Sequence, residues 1–397
     1  MKKRCSGFDY GFSIIELGMS KLGVWPLQRN NLAFYDVRWS FVTAVNLIIA
    51  LNLLTEICMG CGDVSNTLES FLILNASIHA ICNCLFPKIH RKKLAENVNA
   101  AIEDWSCSSG PTKDEESRAI MRRYARASRF IGTSQLILGF MGCSFYFVSI
   151  LVIQTHQVDE TSNGTLQRRY IIPAKCFFDT VSNTEYNAIL LLQMFQALTL
   201  LVTQWAVDSF FFGIVLHLCG QLDILKNCFS NFLDEECSTK EHRRKEFRAF
   251  VERHCRLINL AYNLEDVFHL SIMIQLLMNA YLIALTGFRL ILSMRSSNNV
   301  ETMKSLLFMK FTIMQSFLYT CAGDLLQGHS EDVFHTLWQK SWHDLPSPMI
   351  RNCAFVMMRS KKPLRISAGK FIYVSRITLM DIMKAAASYI SFLQITI

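Results

Sequence analysis

An all-α membrane protein with seven transmembrane helices is the fold class this sequence predicts, and three observations predict it. The 397 residues are 51% hydrophobic, with a mean hydropathy of +0.25, and only 18% are charged, whereas soluble domains carry about a quarter charged residues. Phe130 to Val158, Tyr186 to Val207 and Val267 to Phe288 contain no Lys, Arg, Asp or Glu, and each exceeds the roughly 20 helical residues that cross a hydrocarbon core of about 30 Å. Connectors rich in Lys and Arg alternate with poor ones, as a chain threading a bilayer repeatedly requires.

The chain reads as a single membrane domain, 1–397, with spans at 39–59, 68–86, 131–155, 186–212, 267–289, 304–323 and 372–396. Trp39 to Cys58 is interrupted only by Glu56, and Ser70 to Phe86 carries only His79. The third, fourth and fifth spans are the charge-free windows. Ser305 to Gly323 holds one internal charge, Lys310, while Phe371 to Ile397 holds Arg376, Asp381 and Lys384 in its first half and none after. Met1 to Val37 has basic residues but no uninterrupted apolar core of the signal-peptide type, so the first span is expected to act as its own insertion signal.

Cytoplasmic connectors retain positive charge. Six basic residues precede the first span, ten lie between spans two and three, eight between four and five, and seven between six and seven. The intervening connectors hold none, then Arg168, Arg169 and Lys175, then Arg295. The N-terminus is therefore expected in the cytoplasm and the C-terminus outside. The sequon Asn163-Gly164-Thr165 falls in an outer connector, where glycan transfer occurs. Parts of 213–266 and 324–384 read as helical extensions of spans four to seven that pack into one cytoplasmic anchor, with Glu241 and Lys245 at ion-pair spacing.

This orientation is opposite to that of a G-protein-coupled receptor, and the chain has no Asn-Pro dipeptide to begin that family's last-helix motif. Most of the fourteen cysteines fall in spans or cytoplasmic connectors, where thiols stay reduced. Cys58, Cys61 and Cys176 lie near the outer face, and Cys58-Met59-Gly60-Cys61 is a lone Cys-x-x-Cys that reads as a thiol pair or disulfide. His79 reads as a neutral, hydrogen-bonded core residue. No phosphate loop, nucleophile elbow or paired metal-type histidines are present, so no enzyme, metal site or cofactor is expected. Arg91, Lys92 and Lys93 sit at a membrane exit, where they serve topology and anionic headgroups rather than nucleic acid.

Span seven carries a stripe. At 100° per residue, Asp381, Lys384, Ser388, Ser391, Phe392 and Ile395 lie within about 60° of one line, and Ala386, Ala387 and Tyr389 point elsewhere. A polar stripe is costly against lipid and should face protein or water. Two readings remain open here: small residues that permit close helix packing, with Asp381 and Lys384 paired locally, or a pore wall to which several subunits each contribute one helix.

The run Leu318-Tyr319-Thr320-Cys321-Ala322-Gly323-Asp324-Leu325-Leu326, then Ser330, Trp342, Leu345 and Pro346, then Lys362-Pro363-Leu364, Ala368-Gly369-Lys370-Phe371 and finally Ser388-Tyr389 resembles the C-terminal signature of insect odorant receptors. The likeness covers about 75 residues, and the seven inverted spans extend it over the chain. Gustatory receptors are similar in fold but carry Gln-Phe after five residues beyond a Thr-Tyr pair; here Gln394 follows Tyr389 after four and precedes Ile395. The long insertion of the family's co-receptor between spans four and five is missing.

The resemblance implies a plasma-membrane, ligand-gated, non-selective cation channel of sensory-neuron dendrites. This subunit would bind a small volatile molecule and form a heterotetramer with a co-receptor. It implies a gate at Phe392, with Ser388, Ser391, Ile395 and Thr396 along the pore, although Thr396 departs from the apolar residue expected there. It also implies an odorant pocket in the outer halves of spans two, three, four and six, which supply Phe71, Asn75, Phe145, Tyr146, Ser149, Leu190, Met194, Phe308 and Phe311. Such residues suit an apolar, shape-tolerant cavity. Lys310, close to the outer surface, is expected to snorkel. A gustatory-type channel and a non-conducting binding subunit are the alternatives; a secondary transporter would need matched broken helices in two halves, which are not visible.

Overall fold

The computed structural model describes residues 6–27, 32–60, 64–106, 113–160, 170–174, 176, 182–234, 240–296, 299–340 and 342–395. Among them the elements run α1 (Ser6–Lys21), α2 (Leu32–Met59), α3 (Val64–Ile89), α4 (Arg91–Ser106), α5 (Lys113–Glu160), α6 (Asn183–Asp234), α7 (Lys240–Arg295), α8 (Asn299–Gln339), α9 (Ser347–Ser360), β1 (Ser367–Ala368), β2 (Ile372–Tyr373) and α10 (Arg376–Ile395). Helices α5 to α8, at 48, 52, 56 and 41 residues, extend about 72, 78, 84 and 62 Å at 1.5 Å per residue. A bilayer core is only about 30 Å thick. Each long helix therefore has an apolar half and a second half that must pack elsewhere.

At the end where α4 and α9 lie, the second halves pack into one core. Phe229 and Phe232 of α6 meet Phe250 and Phe247 of α7 at ring distances of 5.1 and 6.0 Å, and Leu257, Leu326, Val333, Leu337, Cys353 and Val356 join the same buried cluster. Two shorter helices contribute to it. In α1, Phe8, Phe12, Ile15 and Met19 are buried, a spacing of four, three and four that makes one helical stripe. In α4, Leu94, Val98 and Ala101 are buried and Asn97 Nδ2 donates to the Leu260 carbonyl at 3.1 Å. This packed body includes α1 and α4, whose patterns are amphipathic rather than uniformly apolar. Tyr124 of α5, Asp223 of α6 and His329 of α8 bond one another at 2.6, 3.2 and 3.0 Å. Although burial acts to raise the Asp223 pKa, the bonds from His329 and Tyr124 hold it below the usual carboxylate range.

At the opposite end the helices turn their apolar faces outward. Phe34, Phe41, Ile48 and Leu51 of α2 and Phe130, Ile137, Met141 and Val148 of α5 are each at least half exposed. Leaving such side chains in water would cost about 1 kcal/mol or more apiece, and the sum rivals the 5–15 kcal/mol net stability typical of a folded domain. Helices α2, α3, α5, α6 and α7 are long and apolar enough to cross a membrane by length and composition. Helix α8 is lower in hydropathy because its buried face carries Lys304, Ser305, Thr312, Gln315, Ser316 and Thr320, while Leu306, Leu307 and Phe317 face out.

The structure departs from the sequence expectations at several places. The last helix begins at Arg376 rather than 372, because Ile372 and Tyr373 pair with Ala368 and Ser367 as a short antiparallel ladder. His79 is buried, yet among the described residues neither ring nitrogen has a hydrogen-bond partner. On α7 the i,i+4 pairs among the described residues are Arg248 with Glu252 at 2.9 Å and His242 with Glu246 at 3.4 Å, not Glu241 with Lys245; exposed pairs contribute so little that solvation easily wins. Cys58 is an exposed free thiol, whereas Cys176 is disulfide-bonded.

Candidate functional site

The C-terminal motif residues build the seat of α10. Asp324 of α8 accepts from the Arg376 backbone N–H at 3.0 Å and from its Nε at 2.6 Å, which satisfies a free donor of the first turn. Gly323 is needed because a Cβ there would lie 2.1 Å from the Val374 carbonyl oxygen. Ser330 Oγ accepts from the Leu364 backbone at 3.0 Å, Ser367 Oγ donates to Glu265 at 2.5 Å, and the Gly369 N–H reaches the His269 carbonyl at 2.8 Å. Gly369 and Lys370 both have positive φ, 62° and 64°, which turns the chain sharply between β1 and β2. Lys370 and Lys93 both bond Asp266, at 2.8 and 2.7 Å, and hold its carboxyl down to about 2. The motif is thus a clasp joining α7, α8 and the start of α10.

Beyond the clasp, α10 has one packed face. Ala386 is buried with Ile283 and Ala284 of α7, and Ile313 of α8, Ile382 and Ile390 pack around them. Gly287 of α7 allows this approach, since a Cβ there would lie 2.4 Å from Ile390 Cδ1. The opposite face carries Asp381, Lys384, Ser388, Ser391 and Phe392, all exposed, with Phe392 at 64%. Asp381 and Lys384 form no ion pair among the described residues, so the local pairing considered above does not occur; Ser391 Oγ only donates back to the Ala387 carbonyl at 3.0 Å. Ile395 ends the helix, and Thr396 and Asn163 lie outside the described residues.

The nine residues expected around a ligand lie near the ends of α3, α5, α6 and α8 away from α4. Leu190 is buried, and Tyr146 and Met194 are partly buried against the same cluster, which includes Ile150, Tyr170 and Ile172. Tyr146 meets Phe308 edge to face at 6.0 Å, and Ser149 Oγ donates to the Tyr146 carbonyl at 2.7 Å. Asn75 Nδ2 is occupied by the Phe71 carbonyl at 3.0 Å. Phe71 and Phe311 are half-buried, Phe145 turns outward, and Lys310 is exposed.

Four charged residues that the sequence reading passed over converge on Tyr146. Its hydroxyl donates to Glu69 of α3. Arg289 Nη2 of α7 bonds Glu301 of α8 at 2.5 Å and lies 3.6 Å from Glu69. Lys304 Nζ lies 3.5 Å from Glu301 and 4.9 Å from the Tyr146 ring centroid. All four are buried. Their signal in the sequence is positional: Arg289 ends the fifth predicted span and Lys304 opens the sixth. Among the described residues no group of His, Cys, Asp or Glu is arranged to hold a metal ion.

Comparison with known proteins adds ancestry to this geometry. The profile of the 7tm Odorant receptor family matches residues 63–387. Odorant receptor 13a of Drosophila melanogaster is 21% identical over 400 aligned residues, covering 94% of this chain and 92% of that protein. Odorant receptor 82a of the same species is 21% identical, covering 70% and 74%. The fold superposes on the insect olfactory receptor OR5 of Machilis hrabei in complex with eugenol with a TM-score of 0.81 at 15% identity, covering 98% of this chain and 100% of that one.

Proposed function

The chain belongs to the 7tm odorant receptor family and is a multi-pass membrane protein, and from that premise we propose that it is the ligand-tuning subunit of an odorant-gated, non-selective cation channel in the plasma membrane. A small volatile molecule binds among Tyr146, Leu190, Met194 and Phe308, and α10 lines a pore completed by co-receptor subunits. The observation that carries this reading is α10 itself. One face is fixed to α7 and α8 by Ala386 and Ile390, while the other leaves Asp381, Lys384, Ser388, Ser391 and Phe392 exposed, and its two charges would be costly against lipid but natural around a wet axis shared with neighbouring copies.

The orientation proposed has the N-terminus in the cytoplasm. The basic connectors support it, as does the disulfide at Cys176, since such bonds persist in oxidising surroundings outside the cytoplasm. The packed body of α1, α4, α9 and the second halves of α6 to α8 is then the cytoplasmic anchor. Opening is a population shift: the ligand binds the open arrangement more tightly, and the helices around it carry that preference to α10.

Co-expression with a co-receptor tests the reading. Phe392→Ala raises resting conductance if this side chain closes the axis. Unchanged leak together with unchanged ion selectivity would make the chain a non-conducting binding subunit.

A further inference from the structure

Arg289 carries more hydrogen-bond donors than the described residues around it satisfy. Its side chain is 3% exposed. Nη2 engages Glu301 and approaches Glu69, but Nε and Nη1 are buried with no partner among the described residues. A guanidinium presents five N–H donors in a fixed fork, and buried polar groups are as a rule hydrogen-bonded. An acceptor is missing at this place. The neighbours are those of the ligand site: Tyr146 shares Glu69 with Arg289 and meets Phe308 edge to face, and Lys304 lies over the Tyr146 ring.

We propose that Arg289 is a specificity-determining residue of the odorant site and that the preferred ligands are neutral molecules with an acceptor oxygen, such as ketones, aldehydes and esters. This rests on the ligand site proposed above and adds the chemical class. Charge selects neutral over ionised acceptors. Glu69 and Glu301 already balance Arg289 and Lys304, so a carboxylate would bring an uncompensated charge into a buried site, at a desolvation cost a carbonyl does not incur. A carbonyl oxygen accepts two bonds without altering that balance. The remainder of such a molecule rests on Tyr146 and Phe308. A site built to donate to a ligand oxygen also rejects analogues that lack it, because the donors stay unpaired.

The test uses the full chain co-expressed with a co-receptor and a panel of carbonyl compounds, each paired with the isostere in which methylene replaces the oxygen. Acetophenone with α-methylstyrene and cyclohexanone with methylenecyclohexane are two such pairs. The expected result is activation by carbonyl members at roughly 10- to 150-fold lower concentration than by their isosteres, the ratio one hydrogen bond to a charged donor supplies. Arg289→Lys keeps the charge but removes the fork and should erase that preference. The charge-balanced Arg289→Gln with Glu301→Gln double variant should do the same, which guards against loss through misfolding of one variant. Equal activation by both members of each pair, or an Arg289→Lys shift that is the same for both, overturns the assignment while leaving the ligand-gated reading intact. In that case the spare donors hold only a buried water. A response confined to carboxylates or amines overturns it too. A chain at the cell surface that answers no volatile of either class removes the ligand-gated reading, and this assignment with it.

Discussion

Asp324→Ala should loosen the base of α10 without touching either proposed site. Asp324 accepts two bonds from Arg376, one from the backbone N–H at 3.0 Å and one from Nε at 2.6 Å. Loss of a side-chain cap costs about 1 kcal/mol, within a range of roughly 0.5–2. The guanidinium contact adds about 0.5 kcal/mol, because the Arg376 side chain is 73% exposed and screened by solvent. Together they amount to about 1–2 kcal/mol, or a 5- to 30-fold increase in the population with α10 undocked. Ala386 is 1% exposed in the docked state, so Ala386→Cys makes that population measurable as a rate of thiol modification. The rate should rise 5- to 30-fold when Asp324→Ala is added and by less with Asp324→Asn, which keeps one acceptor oxygen. An unchanged rate at normal surface expression would mean that packing against Ile283 and Ala284 alone fixes the helix and that the clasp is irrelevant to it.

Gly323→Ala should act more severely than Asp324→Ala. Its Cβ would meet the Val374 carbonyl oxygen at 2.1 Å, backbone that cannot swing aside, so a cost of about 3 kcal/mol and loss of surface expression are expected; normal trafficking and currents would contradict this. His254 of α7 is pushed down to about 4 by burial and by Arg359 from the ordinary 6.5. The unfolded chain therefore binds a proton that the folded chain refuses between those values, and stability present above pH 6.5 is lost as pH falls toward 4, by up to about 3 kcal/mol. The melting temperature of purified protein should follow that trend, and His254→Leu should flatten it. Glycosidase treatment should shift the migration of the expressed chain and Asn163→Gln should abolish the shift; a chain that carries no glycan at this sequon in a glycosylating cell would argue against an outward-facing connector.

The long apolar helices were legible because absence of charge over a window is a one-dimensional property. The order Asp324, Ser330, Gly369 was visible as a motif, and its meaning as a clasp was not, since Ser330 meets Leu364 and Gly369 meets His269 only after three helices have packed. Helix α1 escaped notice for a different reason. Phe8, Phe12, Ile15 and Met19 alternate with Asp9, Ser13 and Glu16, so a search for uninterrupted apolar runs passes over a stripe that a 3.6-residue period displays. Phe392 and its neighbours fell on one face by that same period, and the structure leaves that face exposed. The Arg289 cluster was hidden because its members come from α3, α5, α7 and α8. Each is an ordinary charge or tyrosine by itself, and only the approach of four helices makes them a neutral buried group.

Helix α7 is the element that both proposed sites share. Arg289 and Gly287 stand two residues apart, about 200° around a helix turning 100° per residue, so α7 presents the charged cluster on one side and Ile390 of α10 on nearly the other. The helix that carries the proposed ligand contact is thus the one against which α10 packs. The energies show what a ligand has to bring. Shifting a two-state equilibrium from 1:99 to 99:1 takes about 5.5 kcal/mol of differential affinity, and one hydrogen bond to a charged group supplies about 1.5–3. The remaining ~3 kcal/mol corresponds to roughly 120 Å² of additional apolar contact at 25 cal/mol per Å², about what one ring laid against Tyr146 and Phe308 provides. On the proposed site Arg289 and the apolar wall then contribute comparable shares of the work of opening, so two ligands with the same carbonyl but different carbon skeletons should differ in maximal current.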